Sequence, residues 1–163
     1  MESILYLSFI FVFIFGTLIG SFLNVVIVRY QSGLTISGRS KCFVCGETLK
    51  WYELFPIGSF LFQKGRCKTC KSRISWQYPI VELLTGLVFL SLFIKFFVEK
   101  RVFAEAITAN FVHLAYALVI ASLFIVISVY DFKHMVIPNS FVYTIGIIAF
   151  GGLASAENFE LDL

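Results

Sequence analysis

ILYLSFIFVFIFGTLIGSFLNVVIV, residues 4–28, runs for 25 residues without a charge. A helix that crosses a bilayer needs about 20 such residues. A secretory signal peptide has a shorter apolar core and a small-residue cleavage site after it. Here Arg29 and Tyr30 follow directly, so the stretch reads as an uncleaved first span. The pattern recurs downstream. Pro79 to Val98 is a second span, with Pro79 in the first helical turn, where a missing N–H costs nothing. Ala106 to Tyr130 is a charge-free third, and Ser140 to Ala156 is a marginal fourth of 17 residues. The expected fold is an all-α polytopic membrane protein with about four transmembrane helices.

Composition agrees. The 163 residues are 59% hydrophobic and 14% charged, with a mean hydropathy of +0.90. A soluble domain is about half apolar and about a quarter charged. The 20 Phe exceed what one small core can bury. Nine of the 13 Lys and Arg fall between Arg29 and Arg73, in a polar insert. The chain therefore divides into a first transmembrane helix (1–29), a polar loop domain (30–78) and helices 2 to 4 (79–163). A net charge of +3, so localised, does not imply a nucleic-acid partner. Positive loops stay on the cytoplasmic side. That rule puts the insert in the cytoplasm, the N-terminus outside, and Asp131, His134 and Pro138 back on the cytoplasmic side. Lys100 and Arg101 then lie outside, mildly against the rule, as does the acidic tail of Glu157, Glu160 and Asp162.

All four cysteines lie in the insert, as Cys42 and Cys45 in KCFVCGE and Cys67 and Cys70 in RCKTCKS, with 21 residues between the pairs. Two such C-x-x-C turns suit a zinc-ribbon-like site. Each turn brings two thiolates to one edge of the metal. Gly46, after the first pair, can take the backbone conformation a tight turn needs. The intervening segment is expected to supply short strands that bring the second pair around. Four thiolates on Zn²⁺ carry a net charge of about −2, which Lys41, Arg66, Lys68, Lys71 and Arg73 can offset. Disulfides are disfavoured in a reducing cytoplasm, while an iron–sulfur or redox role stays open as the rival. A closed four-thiolate shell has no open position, so the zinc is expected to be structural.

Asp131 ends the third apolar run, in VISVYDFKHMVIPNSF. A carboxylate at the negative pole of a helix, beside hydrocarbon, is costly and often functional. A boundary residue reaching water beside Lys133 fits the position equally. Asn24, Glu82, Asn110 and His113 are the other polar residues within spans. Glu82, one turn after Pro79, is expected to reach the interface. His113 is expected to make an interhelical hydrogen bond, and Lys95 to snorkel. Gly16 and Gly20 form a GxxxG, which permits close helix approach.

In this order the motifs resemble the type IV prepilin peptidases, the membrane aspartic peptidases also called prepilin leader peptidase/N-methyltransferases. The resemblance rests on GSFLNVVIVR at Gly20 to Arg29, both cysteine pairs, FPIGSFLFQKGRCKTC, ISWQYPIVELLTG at Ile74 to Gly86, and Asp131 followed by MVIP. It covers roughly residues 16 to 145. It implies an enzyme of the bacterial inner membrane that cuts the leader from prepilins and pseudopilins at the cytoplasmic face. It also implies methylation of the new N-terminus with S-adenosylmethionine. Asp131 matches the first of two catalytic aspartates. The second belongs to a G-x-G-D motif, and none occurs here. Asp162 in ENFELDL has no glycines beside it and is not assigned the role. The chain is thus expected to be the N-terminal half of such an enzyme, inactive alone, with residues 79–163 opening the aspartic peptidase domain. The alternative is a non-enzymatic membrane scaffold that docks a partner through the zinc ribbon. That reading accounts for the cysteines but not for GSFLNVVIVR. The resemblance leaves the pilin substrate and the oligomeric state open.

Overall fold

The computed structural model describes residues 2–30, 32, 37–99, 107–137 and 139–161. The expectations placed on Lys100, Arg101, Pro138 and Asp162 lie outside them. The chain is helical, in the order α1 (Glu2–Arg29), a 3₁₀ turn (Trp51–Glu53), α2 (Gly58–Phe62), α3 (Gln77–Phe93), a π-helical turn (Ile94–Glu99), α4 (Ile107–His134) and α5 (Asn139–Leu161). Among the described residues, three stretches are long and apolar enough to cross a bilayer: Ser3–Arg29, Gln77–Phe97 and Asn110–His134. The fourth predicted stretch begins α5, whose shorter apolar part is Asn139–Gly151. Helices suit hydrocarbon because each satisfies its own backbone polar groups. Hydroxyls inside them do likewise: Thr17 donates to the Ile14 carbonyl, Thr85 to Val81 and Ser122 to Leu118, at 2.7–2.8 Å. Ile10, Phe11 and Leu18 on α1 and Leu83, Leu84 and Leu87 on α3 stay exposed, as side chains that face lipid should.

The chain forms two compact units, Met1–Phe93 and Ile94–Leu163. In the first, α1 packs on α3 through small residues. A Cβ on Gly16 would stand 2.8 Å from the Gly86 Cα, and one on Gly20 would stand 2.8 Å from the Glu82 Cα. The GxxxG is therefore the seat of α3. Small residues let two backbones approach where no hydrophobic force separates helix from lipid. Leu23, Asn24, Ile27, Val81, Thr85 and Phe89 are buried in this seam. In the second unit Tyr116 of α4 donates to the Ile148 carbonyl of α5 at 3.1 Å.

The insert departs from expectation between the cysteine pairs. No strand forms there among the described residues; the segment is the 3₁₀ turn followed by α2. Two single antiparallel bridges, Lys41 with Thr48 and Arg66 with Arg73, are all the β pairing described. Each ladder stops after one rung because the next residues turn. The Glu53 carboxylate accepts from the Lys50 N–H at 2.8 Å and starts the 3₁₀ turn. Pro56 then offers no N–H to a ladder. The short α2 that follows buries Phe60, whose ring lies 4.8 Å from Trp76.

Candidate functional site

The four cysteines meet. Their sulfurs all lie within 4.8 Å of one another, and Cys42 Sγ stands 3.8 Å from Cys70 Sγ. Ligands at the Zn–S length of about 2.3 Å in a tetrahedron are about 3.8 Å apart. The thiols are free, not disulfide-bonded. Two backbone turns of the same design place them. In the first, Gly46 N–H donates to the Cys42 carbonyl and Cys42 N–H to Glu47, both at 2.9 Å. In the second, Lys71 N–H donates to Cys67 at 3.0 Å and Cys67 N–H to Ser72 at 2.9 Å. The left-handed position falls on Gly46 in one turn (φ 73°) and on Lys71 in the other (φ 60°). Lysine bears a cost there that glycine does not.

The thiols differ electrostatically. Backbone N–H groups of Cys45 and then Val44 lower Cys42 to about 6. The Ser72 hydroxyl, 3.1 Å from Cys70 Sγ, lowers Cys70. At Cys45 the Glu47 backbone N–H pulls down, but desolvation and the three neighbouring sulfurs outweigh it and push the thiol up to about 12. Like charges so close resist joint ionisation. A divalent cation at the centre is the group that relieves this, so the donor set fits a thiolate-bound metal. Ser72 was not legible as part of the cluster, since a serine two residues past a ligand is an ordinary loop residue.

Glu82 is not open to water. It is 7% exposed, and its Oε2 accepts from the Ile57 N–H at 2.6 Å. The segment after the first cysteine turn docks on the carboxylate before it can reach water. Ile57 is held at φ 57°, an outlying conformation for a β-branched residue. Asn24 donates to the Tyr78 carbonyl at 3.1 Å. Among the described residues, the buried Asn24 Oδ1 has no partner.

Asp131 belongs to the second unit. It is exposed in the last turn of α4, where its carbonyl accepts from Met135 N–H at 2.6 Å. Met135 closes the helix in the left-handed conformation, φ 52°. His134 stacks against Tyr130 with ring centroids 4.2 Å apart. His113 is exposed on α4.

Residues 14–96, which hold the C-terminal part of α1, both cysteine turns and α3, match the family model described as Bacterial Peptidase A24 N-terminal domain. The chain belongs to this family. Curated relatives named prepilin leader peptidase/N-methyltransferase agree with the A24 assignment. One from Bacillus subtilis is 41% identical and matches 78% of this chain and 47% of its own length. One from Myxococcus xanthus is 37% identical over 94% of this chain and 42% of its own. A type 4 prepilin-like protein leader peptide-processing enzyme from Escherichia coli is 35% identical over 91% of this chain and 57% of its own. The chain spans about half the length of these relatives. No solved structure matches it. The A24 domain match contains all four cysteines and Glu82. Asp131 lies beyond it but within the stretch shared with the Myxococcus relative, which leaves out only about a twentieth of the chain.

Proposed function

We propose that this chain carries the N-terminal part of a membrane aspartic endopeptidase that removes the leader from type IV prepilins or pseudopilins. The similarity to prepilin leader peptidase/N-methyltransferases over as much as 94% of the chain supports this best. In this reading Asp131 is one of two catalytic carboxylates. Paired carboxylates cannot both ionise easily, so one keeps a proton. The ionised member takes a proton from water as it attacks the carbonyl carbon of the leader's last residue. The protonated member donates to the leaving amine as the C–N bond breaks. Neither can fill both roles at once. In this reading the partner carboxylate belongs to a G-x-G-D, which these 163 residues do not contain.

Cys42, Cys45, Cys67 and Cys70 hold one structural Zn²⁺, which fixes the shape of the loop and takes no part in hydrolysis. The loop and Asp131 face the cytoplasm, and the enzyme resides in the bacterial inner membrane. N-methylation of the new N-terminus with S-adenosylmethionine is proposed from the relatives' names alone.

The test is complementation. The chain is co-expressed with the C-terminal half of the Bacillus subtilis relative, and prepilin cleavage is followed by the size shift of the substrate. Cleavage is expected with both halves and not with either alone. Asp131→Asn should reduce it by about 10²–10⁴-fold, the worth of a general acid or base. Full activity in Asp131→Asn removes that residue from the site.

A further inference from the structure

We propose that the second cysteine turn carries a binding site for the phosphate headgroup of an anionic phospholipid. A cleft of about 650 Å³ is lined by Lys64, Arg66, Lys68 and Lys71, with Phe62 beside them and no acidic residue. Four cations converging on one concavity raise the local concentration of anions. They outnumber even the net charge of about −2 that four thiolates carry around a divalent ion. Lys68 is held in place, its ammonium 4.4 Å from the centre of the Tyr52 ring.

The cleft's height above the membrane is fixed at two points. Ile74 N–H donates to the Gly65 carbonyl at 2.8 Å, and Arg66 bridges to Arg73. Ile74 is three residues from Gln77, the first residue of a membrane-crossing helix. Three residues span at most about 10 Å. On the other side Ile57, docked on Glu82 of the same helix, leads through α2 into Phe62 and Lys64. The headgroup layer is about 5–8 Å thick on each side of the hydrocarbon. The cleft is thus tied to headgroup depth whichever side the loop occupies. Its apolar rim fits that depth: Phe62 is 90% exposed and Trp76, just before α3, is 69% exposed. Aromatic side chains favour this boundary, and basic residues there attract acidic lipids. Charge and tether together select a membrane phosphate over a soluble one.

Trp76 reports on the site. The chain has two tryptophans, so Trp51→Phe leaves Trp76 as the sole fluorophore. The full chain is reconstituted in phosphatidylcholine vesicles with a minority of phosphatidylglycerol, and the acyl chains of one lipid or the other are brominated. Brominated phosphatidylglycerol is expected to quench Trp76 several-fold more, per mole fraction, than brominated phosphatidylcholine. The fourfold change Lys64→Gln, Arg66→Gln, Lys68→Gln and Lys71→Gln should abolish the preference. Lys64→Arg with Lys68→Arg and Lys71→Arg should keep it, which separates lost charge from lost folding. Equal quenching by the two lipids in the parent chain overturns the proposal. So does a preference that survives the fourfold change, or one abolished by inorganic phosphate at constant ionic strength, which would assign the cleft to a soluble anion.

Discussion

Glu82 and Ile57 make one of the tightest links between the loop and the helices that carry it. A carboxylate among apolar helices is tolerated when it is hydrogen-bonded, and here it takes up a backbone N–H that the docked loop would otherwise leave unmatched. Glu82→Ala is expected to destabilise the loop by about 1–3 kcal/mol, the cost of an orphaned buried donor. Glu82→Gln, which keeps an acceptor, should cost less. Hydrogen exchange at the Ile57 amide measures both, with faster exchange in the alanine variant. Gly20 makes the complementary test. A Cβ there would stand 2.8 Å from the Glu82 Cα and 2.9 Å from the Thr85 hydroxyl oxygen. Gly20→Leu should weaken the α1–α3 pair by about 1–3 kcal/mol or force it apart, read by unfolding in mixed detergent. Position alone identified Glu82 and the glycines as noteworthy. The partner of Glu82 could not be read that way, because Ile57 lies 25 residues away in sequence with no periodic relation to it.

Among the elements, the cysteine turns were the most legible. C-x-x-C spacing encodes a local hydrogen-bond pattern, and the pattern is found twice. The connection between them was misread as strand. Its fold depends on Glu53 capping a turn and on Phe60 finding Trp76, which are contacts rather than spacings. The first and third spans were legible from their charge-free length. The C-terminal limit of α4 was less so, since the charge-free run ends at Tyr130 while the helix continues through Asp131 and Lys133 to His134. On the proposed zinc reading, a chelator should loosen residues 42–73 and leave the α1–α3 pair intact, visible as proteolytic cuts confined to the loop. Acid acts in the same direction. Cys42, lowered to about 6, holds its proton only below that value, so protons compete with metal there. Cys45, pushed up to about 12, releases its proton to solvent only when the metal takes the proton's place on sulfur. Metal retention should therefore be complete near neutral pH and fall in acid, below the value at which the metal-free Cys42 takes up its proton, followed by release to a chromogenic chelator. Greater retention in acid would contradict a thiolate site.

For the whole molecule, the positive loop sets the expected orientation. A phosphatase reporter that is active only outside the cytoplasm should stay silent when fused after Gly38 and be active when fused before Glu2. The reverse result would invert the topology and remove the loop from the side where leader cleavage is proposed. The split of ligands between two like turns has a further consequence. Neither turn can saturate a tetrahedral ion, so each half-site is a bidentate chelator whose completion depends on how readily the other arrives. Within one chain a short connection supplies the second half at millimolar effective concentration or more, and the folded 3₁₀ turn and α2 raise it by holding the halves in register. At lower concentrations than that, two molecules cannot profitably exchange halves. Lengthening the 46–66 connection with flexible residues erodes that advantage and turns an intramolecular clasp into a route to metal-bridged dimers in crowded membranes.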